Sequence, residues 1–134
     1  MSGETERQPK PHAAANGCRV LVVDDDADNV GMLVDLLRVE GYSASSAENG
    51  AAALALLSEG FDPDLILTDL MMPVMSGWDF CESLKQAAHY RSIPIIVTCG
   101  LTPDQRGQLQ VEAAFEKPIK VEPLLQKIKE LCGL

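Results

Sequence analysis

The sequence predicts an α/β fold with one parallel β-sheet and helices on both of its faces. Short apolar runs of strand character alternate with segments of helical periodicity along the chain, which is the pattern of repeated β-α units. The runs are apolar at consecutive positions, as expected for strands that are buried on both faces. Right-handed crossovers would then join the strands, and neither an internal repeat nor a second domain is visible.

The first predicted strand and helix contain an unusual run of acidic residues. The β-branched run at residues 19–23 is followed abruptly by three aspartates. Helical spacing begins at Asp28, and either Asp28 or Asn29 could be the N-cap. Gly41 stands where a helix of this length would end in the left-handed conformation.

The next segments predict an edge strand, a helix and the central strand. Residues 42–46 are short and weakly apolar, which is typical of a strand near a sheet edge. Residues 51–58 predict a helix that Gly60 ends. The apolar residues 65–67 predict a buried strand, and the chain then reaches Asp69 and a proline-containing loop.

The second half of the chain repeats the alternation. Thr102 and Pro103 have the form of a helix start, with Thr102 as the N-cap and Pro103 at the first helical position. The other predicted elements are a helix at residues 78–86, strands at 95–98 and 113–116, and an amphipathic helix at 121–131.

Composition and charge exclude some classes of function. The chain is 46% apolar, which is enough for a hydrophobic core, and 20 acidic against 11 basic residues give a net charge of −9. This charge argues against direct nucleic-acid binding and mildly favours metal cations. Residues 1–17 are polar and contain no apolar run of signal-peptide or membrane-spanning length. We expect a disordered tail at 1–17, a domain at 18–134, and a cytoplasmic protein without a membrane partner.

The four cysteines are Cys18, Cys81, Cys99 and Cys132. No two of them form a Cys-x-x-Cys pair, so neither a metal motif nor a redox motif is supported. We expect small, buried or half-buried thiols in a reducing cytosol.

Five side chains that can carry chemistry stand near the ends of predicted strands. Asp24 and Asp25 follow the first strand, Asp69 the central one, Thr98 the fourth and Lys117 the last. Because the carboxyl ends of parallel strands lie at one edge of a sheet, we expect these side chains to converge there.

Such a cluster suits phosphoryl transfer. Like-charged carboxylates about 4 Å apart repel by about 4 kcal/mol per pair at an effective dielectric near 20, and magnesium prefers the oxygen ligands that they offer. Asp69 stands alone and is the natural nucleophile, while Asp24 and Asp25 are better placed as metal ligands. Lys117 and Thr98 would neutralise charge and donate a hydrogen bond.

Four motifs in this order make the sequence resemble a response-regulator receiver domain of two-component signalling. The resemblance covers Arg19 to Leu131 and implies a flavodoxin-like (CheY-like) sheet of five parallel strands in the order 2-1-3-4-5. The motifs are Leu21-Val22-Val23-Asp24-Asp25-Asp26, Leu65-Ile66-Leu67-Thr68-Asp69-Leu70-Met71-Met72-Pro73 with Ser76-Gly77, Ile95-Ile96-Val97-Thr98, and Phe115-Glu116-Lys117-Pro118.

The resemblance also implies roles for individual residues. Asp69 would be the phospho-acceptor, and Asp24, Asp25, Asp69 and the backbone carbonyl of Met71 would hold Mg²⁺. Thr98 would bond the phosphoryl group and shift towards it, Lys117 would pair with it, and the Lys117-Pro118 bond would be cis.

The resemblance implies partners as well. A sensor histidine kinase or a histidine phosphotransfer protein would supply the phosphoryl group. An unidentified protein downstream would respond to it, and a homodimer that forms on phosphorylation is compatible with this scheme.

Two features depart from the pattern of the family. The family usually has an aromatic residue three positions before the lysine, where this chain has Ala114. The aromatic residue here is Phe115, which strand alternation would point to the other face. The interval from Thr98 to Lys117 is also short, so residues 100–111 must contain a shortened or distorted fourth helix.

Two other functions are compatible with the sequence. A magnesium-dependent aspartyl phosphatase of the haloacid-dehalogenase type uses similar groups, but it needs a general acid two residues after the nucleophile, where this chain has Met71. A receiver-like interaction module that acts without phosphorylation is the other, because both departures affect the face through which the family usually signals.

Overall fold

A computed structural model describes residues 17–72, 74–99 and 102–133. The tail predicted at 1–17 lies outside these residues except for Gly17, and so do Pro73 of the central motif and Gly100 of the shortened interval. None of the helices described is long and apolar enough to cross a membrane.

The described residues form one sheet of five parallel strands. The strands are β1 (Arg19–Val23), β2 (Ser43–Ala47), β3 (Leu65–Thr68), β4 (Ile95–Val97) and β5 (Ala113–Ala114). Their order is β2-β1-β3-β4-β5, and every neighbouring pair is parallel. The predicted fold class and strand order are therefore confirmed, with β3 at the centre of the sheet.

Helices cover both faces of the sheet. They are α1 (Ala27–Val39), α2 (Gly50–Ser58), α3 (Gly77–Gln86), α4 (Pro103–Leu109) and α5 (Val121–Leu131). Side chains of α1 and α5 share one apolar core with Val20 and Val22, whereas α2, α3 and α4 share the other with Leu21 and Val23. Consecutive residues of β1 thus serve opposite faces, which is why its sequence is apolar without alternation.

The start of α1 differs from the prediction. The N-cap is Asp26, whose carboxylate accepts hydrogen bonds from the backbone N–H groups of Asp28 and Asn29. Both predicted caps thus lie inside the first turn, because the carboxylate of Asp26 satisfies the free N–H groups at the start of the helix. Gly41 has a φ of 96°, as expected for the residue that follows the end of α1.

The fourth helix is short, as predicted, and spans seven residues. At its start the Thr102 hydroxyl accepts a bond from the Gln105 N–H, and the Gln105 side chain accepts one from the Thr102 N–H. This reciprocal pair is a capping box. It confirms Thr102 as a capping residue for this helix.

The fifth strand is shorter than predicted. Only Ala113 and Ala114 pair with β4, after which the Phe115 N–H donates to the Val97 carbonyl at 2.9 Å. The chain then leaves the sheet and reaches the cis Lys117-Pro118 bond, which confirms the expected isomer. Ala114 packs with the α2–α4 core and Phe115 with the α1–α5 core, so the aromatic ring is on the opposite face from the alanine.

The expectation of four reduced thiols is wrong for two of the cysteines. Cys18, just before β1, and Cys132, just after α5, form a disulfide. Their Cα atoms are 6.1 Å apart although 114 positions separate them in sequence. The fold brings these residues together because α5 returns along the sheet to the side where β1 begins. Cys81 is free and buried, and Cys99 is free and half-buried.

Candidate functional site

Three carboxylates meet at the carboxyl edge of the sheet. Asp24 and Asp25 follow β1, and Asp69 follows β3, the strand next to it. One oxygen of each carboxylate lies within 4.8 Å of the others. Asp24 and Asp69 are 3% and 6% exposed, whereas Asp25 is exposed. The predicted convergence of the acids is therefore present, with Asp25 open to solvent.

Lys117 bridges two of these acids from the loop after β5. Its Nζ donates to Asp24 Oδ2 at 2.9 Å and to Asp69 Oδ2 at 3.2 Å. Partial burial tends to lower the pKa of Lys117, but its bonds to Asp24 and the charges of Asp24 and Asp69 outweigh this and raise the pKa. Lys117 therefore stays a cation at neutral pH, and the predicted grouping of Lys117 with Asp69 is observed.

Asp24 is held ionised inside the protein. Burial raises the pKa of its carboxyl, but hydrogen bonds from Asp26, Lys117 and Asn29, with the charge of Lys117, bring the pKa below its ordinary value. The Asp26 N–H donates to Oδ1 at 3.0 Å, while Lys117 and Asn29 both donate to Oδ2. An ionised, buried carboxylate of this kind is a suitable cation ligand.

The backbone after β3 fixes the carboxylate of Asp69. Oδ1 accepts hydrogen bonds from the N–H groups of Leu70 at 2.7 Å and Met71 at 3.3 Å. The Asp69 N–H donates to the Val23 carbonyl at 2.8 Å, which ties this residue to the end of β1. Oδ2 is thus the oxygen directed to Lys117, and Oδ1 is occupied by the chain itself.

Thr98 contributes a buried hydroxyl without a hydrogen-bond partner. The residue is 2% exposed and follows β4, next to β3. Among the residues that the structure describes, its Oγ1 is the one buried side-chain oxygen or nitrogen without a partner. Such an atom is costly to leave unsatisfied, so this hydroxyl is available to a group that enters the site.

Met71 lies in the same loop and is 75% exposed. Its N–H is bonded to Asp69, as described above. The role predicted for its carbonyl, a magnesium ligand, remains a prediction.

Two neighbours of the acids were not predicted from the sequence. Asn29 was expected only as a helix cap, yet its amide donates to Asp24 at 2.7 Å. The available signal was an amide in the first helical turn after an acidic pair. The second neighbour is Cys99, whose place in the site the sequence motifs do not indicate. Burial and then the nearby charge of Asp69 raise the pKa of the Cys99 thiol, so Cys99 is a neighbour of Asp69.

Comparison with known proteins identifies the family. Residues 20–129 match the response regulator receiver domain. The chain belongs to this family. It is therefore a receiver domain of two-component signalling, a class of phosphoryl-accepting signalling domains, as the sequence motifs predicted. Nothing in these comparisons favours the phosphatase or the phosphorylation-independent module.

Individual relatives agree with this assignment. The chain is 43% identical over 119 residues to the response regulator PleD of Caulobacter vibrioides, covering 84% of this chain and 26% of PleD. It is 33% identical to the polar-differentiation response regulator DivK of Brucella anthropi, covering 85% of this chain and 95% of DivK. The chain thus spans about a quarter of PleD and nearly all of DivK.

Solved structures share the fold. The chemotaxis response regulator CheY4 of Vibrio cholerae superposes with a TM-score of 0.76 at 28% identity, covering 85% of this chain and 98% of CheY4. The receiver domain of a histidine kinase from Syntrophus aciditrophicus gives a TM-score of 0.77 at 29% identity, covering 87% of this chain and 90% of that domain.

The acid cluster fits a hard divalent cation. Asp24, Asp25 and Asp69 offer only carboxylate oxygens, which suit magnesium and calcium better than softer metals. Two of the three are buried, so their mutual repulsion is weakly screened by solvent. Lys117 offsets part of this charge and a cation would offset the rest, so the cluster could hold a metal ion.

Proposed function

We propose that Asp69 accepts a phosphoryl group from the phosphohistidine of a sensor histidine kinase or a histidine phosphotransfer protein. The observation that supports this proposal is that Asp69 lies together with Asp24, Asp25 and Lys117 at the carboxyl edge of the sheet. Phosphorylation would then shift a surface that a downstream protein recognises.

The chain's own residues set up the chemical step. With Oδ1 of Asp69 held by two backbone N–H groups, Oδ2 is the nucleophile. It attacks the phosphorus of the phosphohistidine; the new P–O bond gives an acyl phosphate, the P–N bond breaks, and the imidazole leaves with a proton from solvent. Lys117 must release Oδ2 and pair instead with the transferred group, which its flexible side chain allows.

Magnesium would bind at Asp24, Asp25, Asp69 and the Met71 carbonyl, and it would supply neutralisation of charge on the phosphoryl oxygens. This assignment is supported by the convergence of the three carboxylates. Asp24 is buried and Asp25 is exposed, and both carboxylates would serve as ligands of the ion.

Thr98 would donate its unpartnered hydroxyl to the phosphoryl group. Phosphorylation adds about −1.5 to −2 charges and three acceptor oxygens. A buried hydroxyl that lacks a partner gains a strong acceptor when such a group arrives, so the loop after β4 would be drawn towards Asp69. This movement is our proposed link between the chemistry and the partner surface.

We further propose that the domain acts in the cytoplasm, without turnover of a small-molecule substrate beyond its own phosphorylation and slow dephosphorylation. Proposed partners are proteins, since the net charge of −9 disfavours nucleic acid. Phosphorylation-dependent pairing of two copies is compatible with this function.

The test is labelling of the purified chain with a small phosphodonor in the presence of magnesium. Wild type should reach one phosphoryl group per chain, and Asp69→Asn should remain unlabelled because the amide is not a nucleophile. Asp35→Asn, an exposed residue of α1, is the matched control and should label like wild type.

Three results would contradict the proposal. Stable labelling of Asp69→Asn at another aspartate would remove Asp69 from its role. Release of many equivalents of phosphate from a phosphate ester would favour a phosphatase. A wild-type chain that neither labels nor binds magnesium would favour an interaction module that acts without phosphorylation.

A further inference from the structure

We propose that Asn29 is a positioning residue that orients the Asp24 carboxylate for the cation, independently of Lys117. The inference rests on the proposed function for the identity of the cation, which we take to be magnesium. It concerns a residue outside the acids, the hydroxyl and the lysine discussed so far.

The contact between Asn29 and Asp24 is short. Asn29 Nδ2 donates to Asp24 Oδ2 at 2.7 Å, the shortest hydrogen bond between side chains among the described residues. The amide must present its NH₂ group here, because its carbonyl oxygen would face another acceptor. A hydrogen bond to a carboxylate is about twice as strong as one between neutral groups.

The helix holds the Asn29 side chain in place. Asn29 lies in the first turn of α1 and is half-buried, and its own N–H donates to the Asp26 carboxylate that caps the helix. The same stretch of chain provides the Asp26 N–H for Asp24 Oδ1. The Asp24 carboxylate therefore accepts a hydrogen bond from the Asp26 N–H on Oδ1 and one from the Asn29 amide on Oδ2.

Asn29 shares Oδ2 of Asp24 with Lys117, and the two donors differ in kind. Lys117 also bonds Asp69, and in the proposed reaction it moves to the transferred group. The Asn29 amide donates to no other side chain among the bonds described. It would therefore keep the Asp24 carboxylate oriented after Lys117 breaks its bond to Asp24. The amide is neutral and therefore orients the carboxylate without competing with the cation for its charge.

The experiment is calorimetric titration of the full chain with magnesium alone. Asn29→Ala and the larger Asn29→Leu should each bind magnesium about 10-fold more weakly, in the range seen when partners of metal ligands are removed. Asn49→Ala is the matched control: Asn49 caps α2 by accepting from Ala52, so this variant loses helix stability but should bind magnesium like wild type.

A double-mutant cycle separates the effect of Asn29 on magnesium affinity from that of Lys117. Lys117→Met removes the other side-chain donor to Asp24, so adding Asn29→Ala in that background should weaken magnesium binding by at least the same factor as in wild type. At saturating magnesium, the labelling rate of Asn29→Ala should return to near that of wild type, which loss of fold would not permit.

The outcomes are distinct. Unchanged affinity in folded Asn29→Ala and Asn29→Leu overturns the inference while leaving the proposed function intact if wild type still labels. Loss of the Asn29 effect in the Lys117→Met background overturns the independence from Lys117. A wild-type chain without magnesium affinity overturns the inference together with the magnesium site of the proposed function.

Discussion

At Asp24 the energetic cost of burying a charge conflicts most directly with the negative charge that the proposed cation site needs. Asp24 is an ionised carboxylate with 3% exposure, and burial alone would favour its neutral form. Three donors, from Asp26, Asn29 and Lys117, keep it charged. The protein thereby contains a buried carboxylate that contributes to stability while its hydrogen-bond donors are present. The same carboxylate is available as a ligand for a cation.

This balance predicts a pH dependence of stability in the absence of magnesium. The pKa of Asp24 in the folded state lies below the ordinary 3.8, so the unfolded chain binds the proton first as the pH falls. The contribution of Asp24 is therefore fully present above pH 3.8 and is lost as the pH falls through the folded pKa. Chemical denaturation with a chelator present, from neutral pH to below 3.8, measures it.

Asp24→Asn is the comparison variant. Its free energy of unfolding should fall less steeply than that of wild type across the same acidic range, because it lacks the titrating group. If the free energies of unfolding of the two proteins fall in parallel as the pH is lowered, other carboxyl groups control the loss of stability in acid.

At the scale of elements, the connection from β3 to α3 holds Asp69 in place. Gly77 opens α3, and its N–H donates to the Leu70 carbonyl at 3.0 Å. A Cβ built on Gly77 would lie 2.1 Å from the Asp69 carbonyl oxygen and 2.6 Å from Leu70 Cα. The first turn of α3 therefore packs directly on the backbone of Asp69 and Leu70, and only glycine fits there.

Gly77→Ala should disturb both stability and chemistry. Because the clash involves backbone atoms, we expect a loss of about 1–3 kcal/mol in the free energy of unfolding, the usual cost of overpacking, and a lower rate of Asp69 labelling. The two measurements are denaturant unfolding and phosphodonor labelling.

Gly107→Ala is the control for this prediction. Gly107 lies in α4 with nothing within 4 Å of its Cβ position, so alanine should be neutral or stabilising. A Gly77→Ala protein as stable and as rapidly labelled as wild type would mean that the acceptor loop can move aside.

The sequence predicts these elements well where topology leaves little choice. Three acids and a lysine at strand ends had to meet once the strands were parallel, and they do, while Thr98 follows the neighbouring strand β4. The N-cap of α1 was not predictable, because Asp26, Asp28 and Asn29 all have suitable side chains and only backbone geometry selects Asp26. The short β5 escaped prediction because pairing ends where the chain turns towards Lys117, which apolar spacing does not encode.

At the scale of the whole molecule, the Cys18–Cys132 disulfide closes nearly the entire domain into one loop. Cysteine spacing along the sequence could not reveal it, since 114 positions separate the partners and only the folded sheet brings them together. The disulfide lies beside the start of β1, at the opposite edge of the sheet from Asp69.

Reduction should lower stability without changing the chemistry. Closing a loop of about 100 residues stabilises a protein by about 5 kcal/mol in the chain-entropy treatment, so Cys18→Ser with Cys132→Ser should unfold at lower denaturant concentration. Wild type in a reductant should match this variant, while Asp69 labelling of both stays at the wild-type rate under native conditions. Cys99→Ser should still respond to the reductant.

Two results would contradict this prediction. A wild-type denaturation midpoint that does not move in the reductant would show that the two thiols are not joined in solution. A large loss of labelling in the folded double variant would show that the opposite edge of the sheet is coupled to Asp69.

The closeness of Cys18 and Cys132 also determines how the domain can be joined to other chains. Polypeptide attached before β1 and polypeptide attached after α5 depart from nearly one point, with 6.1 Å between the two Cα atoms. Because this distance is short, the domain could be inserted into a surface turn of a host protein through short linkers. The edge of the sheet that carries Asp69 would then face away from the junction, because the disulfide lies at the opposite edge of the sheet.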